Sequence, residues 1–173
     1  MNPFDRDKSE TVLLNRRAFI GTAIVLGGFA VSPVQAKPTP TILFVCQFGS
    51  VKSPVARELF RRRAKERGLS VTAISRGITP ESHVSPLLAQ SLAREAIDID
   101  RDGLHRLDQH ALHTATITVL FDPLPSGWPA RRVHDWTDTG SLNQNYEAEK
   151  PGLMARIDAL LDEIAASKIP KRR

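Results

Sequence analysis

The hydrophobic pattern of this chain alternates between two periods. Thr41 to Val45 is a continuous apolar run of strand length, as expected of a strand buried on both faces. From Ser53 to Arg67 the spacing becomes helical, with Val55, Ala56, Leu59, Phe60 and Ala64 on one face. Ser53 supplies an N-cap, Pro54 a first helical residue and Gly68 a stop. Ser70 to Ser75 reads as a second strand and Arg76 to Ser82 as a loop. Ser85-Pro86 opens a second helix with Leu87, Leu88, Leu92 and Ala96 on its apolar face. A short helical turn over 107–112 precedes a third strand, Thr116 to Phe121, which ends on Asp122-Pro123. Arg131 to His134 is a fourth strand, and a loop runs from Asp135 to about Asn145. A last helix spans Lys150 to Ala166, with Leu153, Ile157, Leu160, Leu161 and Ile164 at helical spacing. Strands alternating with helices predict a three-layer α/β single domain, a four-stranded parallel sheet flanked by helices. Ligands in such sheets bind beyond the C-terminal strand ends. Cys46, Asp122 and the Asp135–Asp138 loop all fall at such ends.

Upstream the pattern is different. Asn15-Arg16-Arg17-Ala18-Phe19-Ile20 carries the paired arginines of a twin-arginine export signal. No charge follows Arg17 until Lys37, and the apolar, Gly- and Ala-rich stretch between them ends in Val34-Gln35-Ala36, a small-residue cleavage site. The stretch is short for a spanning helix of about 20 residues. Residues 1–36 therefore read as a signal peptide cleaved after Ala36, which engages the twin-arginine export machinery. Residues 37–173 read as the mature domain, periplasmic or otherwise exported and not membrane-spanning.

The 173-residue chain carries a formal charge of +5, with part of the excess in Arg61-Arg62-Arg63 and in the solvated tail from Lys168. That balance suits anionic partners. Nucleic acid is not expected, because no stacking aromatics accompany the basic clusters. Asp108-x-His110-x-x-His113 lacks a metal-ligand spacing, and neither a metal nor a cofactor is expected. Cys46 is the single cysteine, so the chain has no internal disulfide. A lone thiol is inert and buried, an intermolecular link, or reactive; the surrounding residues favour the last.

From Cys46 the sequence runs Gln47-Phe48-Gly49-Ser50-Val51-Lys52-Ser53. A thiol at a strand end faces a helix N-terminus, where unpaired N–H groups and a partial positive charge bind oxyanions and favour a thiolate. Gln47 to Ser53 can offer successive backbone N–H groups as an anion nest. Gly49 permits a positive φ there, Ser53 can hydrogen-bond the thiolate, and Lys52 adds a full charge.

Cys46, five residues, a basic residue and then Ser53-Pro54 resemble the signature loop of the low-molecular-weight protein tyrosine phosphatases, whose fold the related arsenate reductases share. Ser75-Arg76-Gly77 is similar to the family's Ser-Ala-Gly segment, Val84-Ser85-Pro86 opens a helix at the expected place, and Asp135-Trp136-Thr137-Asp138 stands where the family carries its acid loop. The resemblance covers residues 41 to 166. It implies that Cys46 attacks phosphorus and forms a cysteinyl-phosphate, and that Asp138, with Asp135 as rival, protonates the leaving group. The implied partner is a phosphorylated substrate, of phosphotyrosine type, or another oxyanion. The alternatives are a weak or inactive oxyanion-binding module and a thiol-dependent arsenate reductase. Three departures matter. Lys52 replaces an arginine whose planar fork clamps two phosphate oxygens; by analogy with a lost oxyanion donor, that costs about 2–4 kcal/mol in the transition state. Phe48 and Gly49 replace Gly and Asn. The acid loop lacks the family's Asp-Pro pair, while Asp122-Pro123 lies earlier in the chain. Trp128, Trp136 and Tyr146 read either as walls of an aromatic substrate pocket or as cover for the core.

Overall fold

The structure, a computed structural model, describes residues 39–83 and 85–168. The whole segment read as an export signal, Val84 and the end of the basic tail lie outside the described residues. Eight elements follow in order: β1 (Thr41–Cys46), α1 (Lys52–Glu66), β2 (Thr72–Gly77), α2 (Pro86–Arg94), α3 (Gln109–Thr114), β3 (Ile117–Leu120), β4 (Val133–Asp135) and α4 (Leu142–Lys168). The strands form one parallel sheet in the order β2-β1-β3-β4. The expected α/β fold is present, with β1 at the point where the strand order reverses. That is the position at which open parallel sheets hold ligands.

Alternation along β1 sorts its side chains between two layers. Ile42, Phe44 and Cys46 point into the larger core with α1, α2 and α4. Leu43 and Val45 point into a smaller core with α3. Ile42 to Val45 are fully buried, which accounts for the unbroken apolar run in the sequence. Each such side chain contributes about 1.5–3 kcal/mol by leaving water. The thiol therefore emerges on the side of the sheet where α1 begins.

Several boundaries differ from the sequence reading. Strand β2 starts at Thr72 and includes Arg76 and Gly77, because Cys46 pairs with Gly77 and draws the strand past Ser75. In α2, Leu88 and Leu92 are buried, whereas Leu87 is 63% exposed and Ala96 lies beyond the helix with φ +53°. Helix α4 begins at Leu142, whose side chain is fully buried, and is broken at Asn145 (φ −147°, ψ 50°) before its long run. Its packing draws in a turn that the polar sequence around it did not announce.

The basic face of α1 is a scaffold as well as a solvated surface. Arg57 is 1% exposed, and donates to Ser75 Oγ (2.8 Å), the Ile99 carbonyl (3.0 Å) and Glu58. Arg61 pairs with Asp102, and Arg63 and Arg67 pair with Asp158 of α4. Hydrogen bonds from Arg63 hold the Asp158 carboxyl below the usual carboxylate range.

Candidate active site

Cys46 is 4% exposed at the end of β1. Two groups converge on its sulfur: the Gly49 N–H donates at 3.2 Å, and Ser53 Oγ lies at 3.1 Å. A nucleophilic thiolate uses such an environment. Ser53 is not the N-cap. Helix α1 starts one residue earlier at Lys52, behind Val51, with no side-chain cap, and Ser53 Oγ reaches instead to Cys46 and the Arg76 carbonyl (3.4 Å). The tertiary contact with sulfur displaces the local capping role. The unpartnered first-turn amides of an uncapped helix suit an oxyanion.

The loop is shaped by a backbone contact. Gly49 has φ +67°, and a Cβ there would stand 2.9 Å from Gly77 Cα. A Cβ on Gly77 would stand 2.8 Å from Gly49 N and 2.9 Å from the Phe48 carbonyl carbon. Only two glycines allow this approach. The loop after β2 then follows the Cys46–Ser53 loop, with Ile78, Thr79 and Glu81 N–H groups donating to the Cys46, Gln47 and Phe48 carbonyls.

The loop and its neighbours line an open cleft of about 600 Å³. Cys46, Gln47, Phe48, Ser50, Val51 and Lys52 all contribute to it. Gly49 and Ser53 sit behind them, both buried, against the sulfur. Three further chain segments close around the cleft, bringing Glu81 and His83, Asp122, and Ser141 to Asn143. Asp122 Oδ2 accepts the Gln47 N–H at 2.9 Å, and Ser50 Oγ donates to Glu81 Oε2 at 2.5 Å. Glu81 had no local signal in the sequence; its place depends on the fold of the loop after β2.

The other site residues fall out differently. Lys52 lines the cleft, but its Nζ donates to the Thr139 carbonyl at 2.9 Å, tying the Cys46–Ser53 loop to the loop between β4 and α4. Asp138 is not brought to the cleft. Its carboxylate accepts both Arg156 N–H groups at 2.7 and 2.6 Å, and this pairing holds its pKa below the ordinary value. Asp135 Oδ1 accepts the Thr137 N–H at 2.9 Å, and hydrogen bonds from Thr137 lower its pKa as well. Trp136 and Tyr146 are each 5% exposed in the core, Trp136 against Phe121 and Phe44. Trp128 packs on the smaller core. Among the described residues, Phe48, 51% exposed, is the aromatic side chain lining the cleft besides the His83 imidazole. Asp108 caps α3 through Ala111 N–H, and no cluster among the described residues is arranged to hold a metal.

A family model described as low molecular weight phosphotyrosine protein phosphatase matches residues 41–122. Among solved structures, the chain is similar to YfkJ from Bacillus subtilis, at 19% identity and a TM-score of 0.67, covering 77% of this chain and 99% of that one. It is similar to a low molecular weight protein tyrosine phosphatase from T. tengcongensis, at 20% identity and TM-score 0.63, over 72% and 99% of the two chains. A thioredoxin-dependent arsenate reductase from Corynebacterium glutamicum matches at 23% identity and TM-score 0.59, over 76% of this chain and 64% of that one. No curated protein matches the sequence.

Proposed function

On the match of residues 41–122 to the family model of the low molecular weight phosphotyrosine protein phosphatases, we propose that this cysteine-dependent, phosphatase-like enzyme hydrolyses a phosphomonoester of phosphotyrosine type. The observation that carries the reading is the convergence of Gly49 N–H and Ser53 Oγ on Cys46 Sγ at the mouth of α1. The Cys46 sulfur attacks phosphorus, an S–P bond forms and the P–O bond to the leaving group breaks. The leaving oxygen takes a proton from a carboxylic acid. Water then cleaves the S–P bond and releases phosphate. Asp122 is the proton donor in this reading. It lines the cleft, whereas Asp135 accepts the Thr137 N–H and Asp138 is paired with Arg156 away from it.

A second reading, a weak or inactive oxyanion-binding module, is favoured by one contact: the Lys52 ammonium donates to the Thr139 carbonyl. One assay set separates the two. Hydrolysis of an aryl phosphate is measured from pH 5 to 8 with the native chain, Cys46→Ser and Lys52→Arg. The phosphatase reading expects turnover, lost in Cys46→Ser by at least about 10⁴-fold and raised up to about 10²-fold in Lys52→Arg. Phosphate binding without turnover in the native chain establishes the binding module. Arsenite formation with added glutathione in the same assay would point to arsenate reduction by an external thiol, since Cys46 has no second cysteine in the chain to resolve it.

We also infer export by the twin-arginine route, on the Arg16-Arg17 pair, the uncharged stretch after it and Ala36. Arg16→Lys/Arg17→Lys should hold the chain in the cytoplasm. Unchanged secretion of that variant defeats the inference.

A further inference from the structure

The charges around the nucleophile are unusual for a site that takes a dianion. Among the described residues, besides Cys46 and His83, the charged side chains lining the cleft are one cation, Lys52, and two carboxylates, Glu81 and Asp122. The cation is turned to the Thr139 carbonyl. Asp122 accepts the Gln47 N–H through Oδ2 and already serves as the proton donor in the phosphatase reading. Glu81 is different. It is exposed, and it is held at the cleft from two directions: Ser50 Oγ, on a residue 1% exposed, donates to Glu81 Oε2 at 2.5 Å, and the Glu81 N–H donates to the Phe48 carbonyl at 3.0 Å. A hydroxyl–carboxylate bond of that length is charge-assisted. It fixes one carboxylate oxygen and leaves the other for a ligand. Phe48, half exposed beside it, offers an aromatic face. A fixed carboxylate next to a phosphate nest weakens binding of any purely anionic ligand. It strengthens binding of a phosphate whose remaining part carries positive charge, which an aromatic face also attracts.

Resting on the phosphatase reading above, we propose that Glu81 is a specificity-determining residue that selects phosphomonoesters whose leaving group bears a cation, with Phe48 as the platform beside it. The phosphoryl group occupies the nest, and the cation meets Glu81 at the rim. Phosphate alone and neutral aryl phosphates are then the poor ligands of this site.

The test uses two aryl phosphates of equal size, para-(aminomethyl)phenyl phosphate and para-ethylphenyl phosphate, titrated calorimetrically into the complete chain carrying Cys46→Ser. The aminomethyl ester is expected to bind about fivefold more tightly, the scale of a partly exposed ion pair. Adding Glu81→Gln should abolish that preference without weakening the ethyl ester. Adding Phe48→Ala should weaken both esters. Equal binding of the two esters, no binding of either, or a preference that survives Glu81→Gln overturns the proposal. Turnover by the native chain is read separately. If neither ester is hydrolysed but the binding preference is present, the phosphatase reading fails and the role of Glu81 stands.

Discussion

The two loops that meet over the cleft are held by different physics. The loop from Cys46 to Ser53 is fixed by backbone. Its glycine lies against Gly77, its first amide is bound by Asp122, and its carbonyls accept from the loop after β2. The loop between β4 and α4 is also anchored, by Trp136 in the core and by Gly140 N–H on Glu149, but its acidic tip is held by an exposed ion pair. Exposed pairs contribute little, typically up to about 1 kcal/mol. The Cys46 thiol is thus placed by contacts that cannot yield without moving a strand, while the carboxylates of the second loop are placed by contacts that rearrange at low cost. The thiol is fixed in position together with Asp122, and the aspartates of the second loop are free to shift.

The comparison breaks most sharply at the aspartates. Asp122→Asn retains an acceptor for the Gln47 N–H but cannot donate a proton, so kcat/KM for an aryl phosphate should fall by about 10²–10⁴. Asp138→Asn should change it by less than about threefold, because only the Arg156 pair is lost. A reversed ranking in a pH–rate profile would move the acid to the second loop.

Next in size is Gly77→Ala. The added methyl would stand 2.8–2.9 Å from Gly49 and Phe48 backbone atoms, and a displacement of about 1 Å in the nucleophile loop should lower kcat by about 10². Helical circular dichroism should be retained. A fully active variant would show that the loop is not held there.

The smallest effect is on stability against acid. The folded-state pKa of Asp158 is depressed, first by hydrogen bonds from Arg63. Such a group stabilises the fold above its unfolded pKa, about 3.9, and the contribution is lost as pH falls through its folded value. Urea midpoints should therefore drop below about pH 4, and Asp158→Asn should flatten that limb. An unchanged limb would show that the α1–α4 pairs do not couple to folding.

The parts legible in the sequence were those set by local pattern. Strand β1 announces itself because all its central side chains are buried, and the loop after it because Gly49 and Ser53-Pro54 have few other uses in that order. What escaped was decided at long range. The Ser53–thiol contact was legible, but not that it would exclude the capping role read for the same hydroxyl. Glu81, 35 residues from Cys46, reaches the cleft only through the fold of the loop after β2, whereas Asp122 was already legible as a strand-end residue on that edge. The aromatics were ambiguous because Trp136 and Tyr146 have polar neighbours in sequence and apolar neighbours in space. Nothing local marked Arg61, Arg63 and Arg67 for ion pairs, because Asp102 and Asp158 come from elsewhere in the chain.

The side of the sheet on which Cys46 emerges is fixed by the parity of β1 alone. One residue inserted between Thr41 and Val45 would leave every letter from Cys46 to Pro54 unchanged. It would face a choice between turning the thiol toward α3 and shifting the register of three strands. Either outcome disarms a motif that still reads as intact, and a changed rate of thiol alkylation would show it. A search for this loop by its letters therefore finds candidates whose chemistry depends on counting, residue by residue, back to the start of the strand.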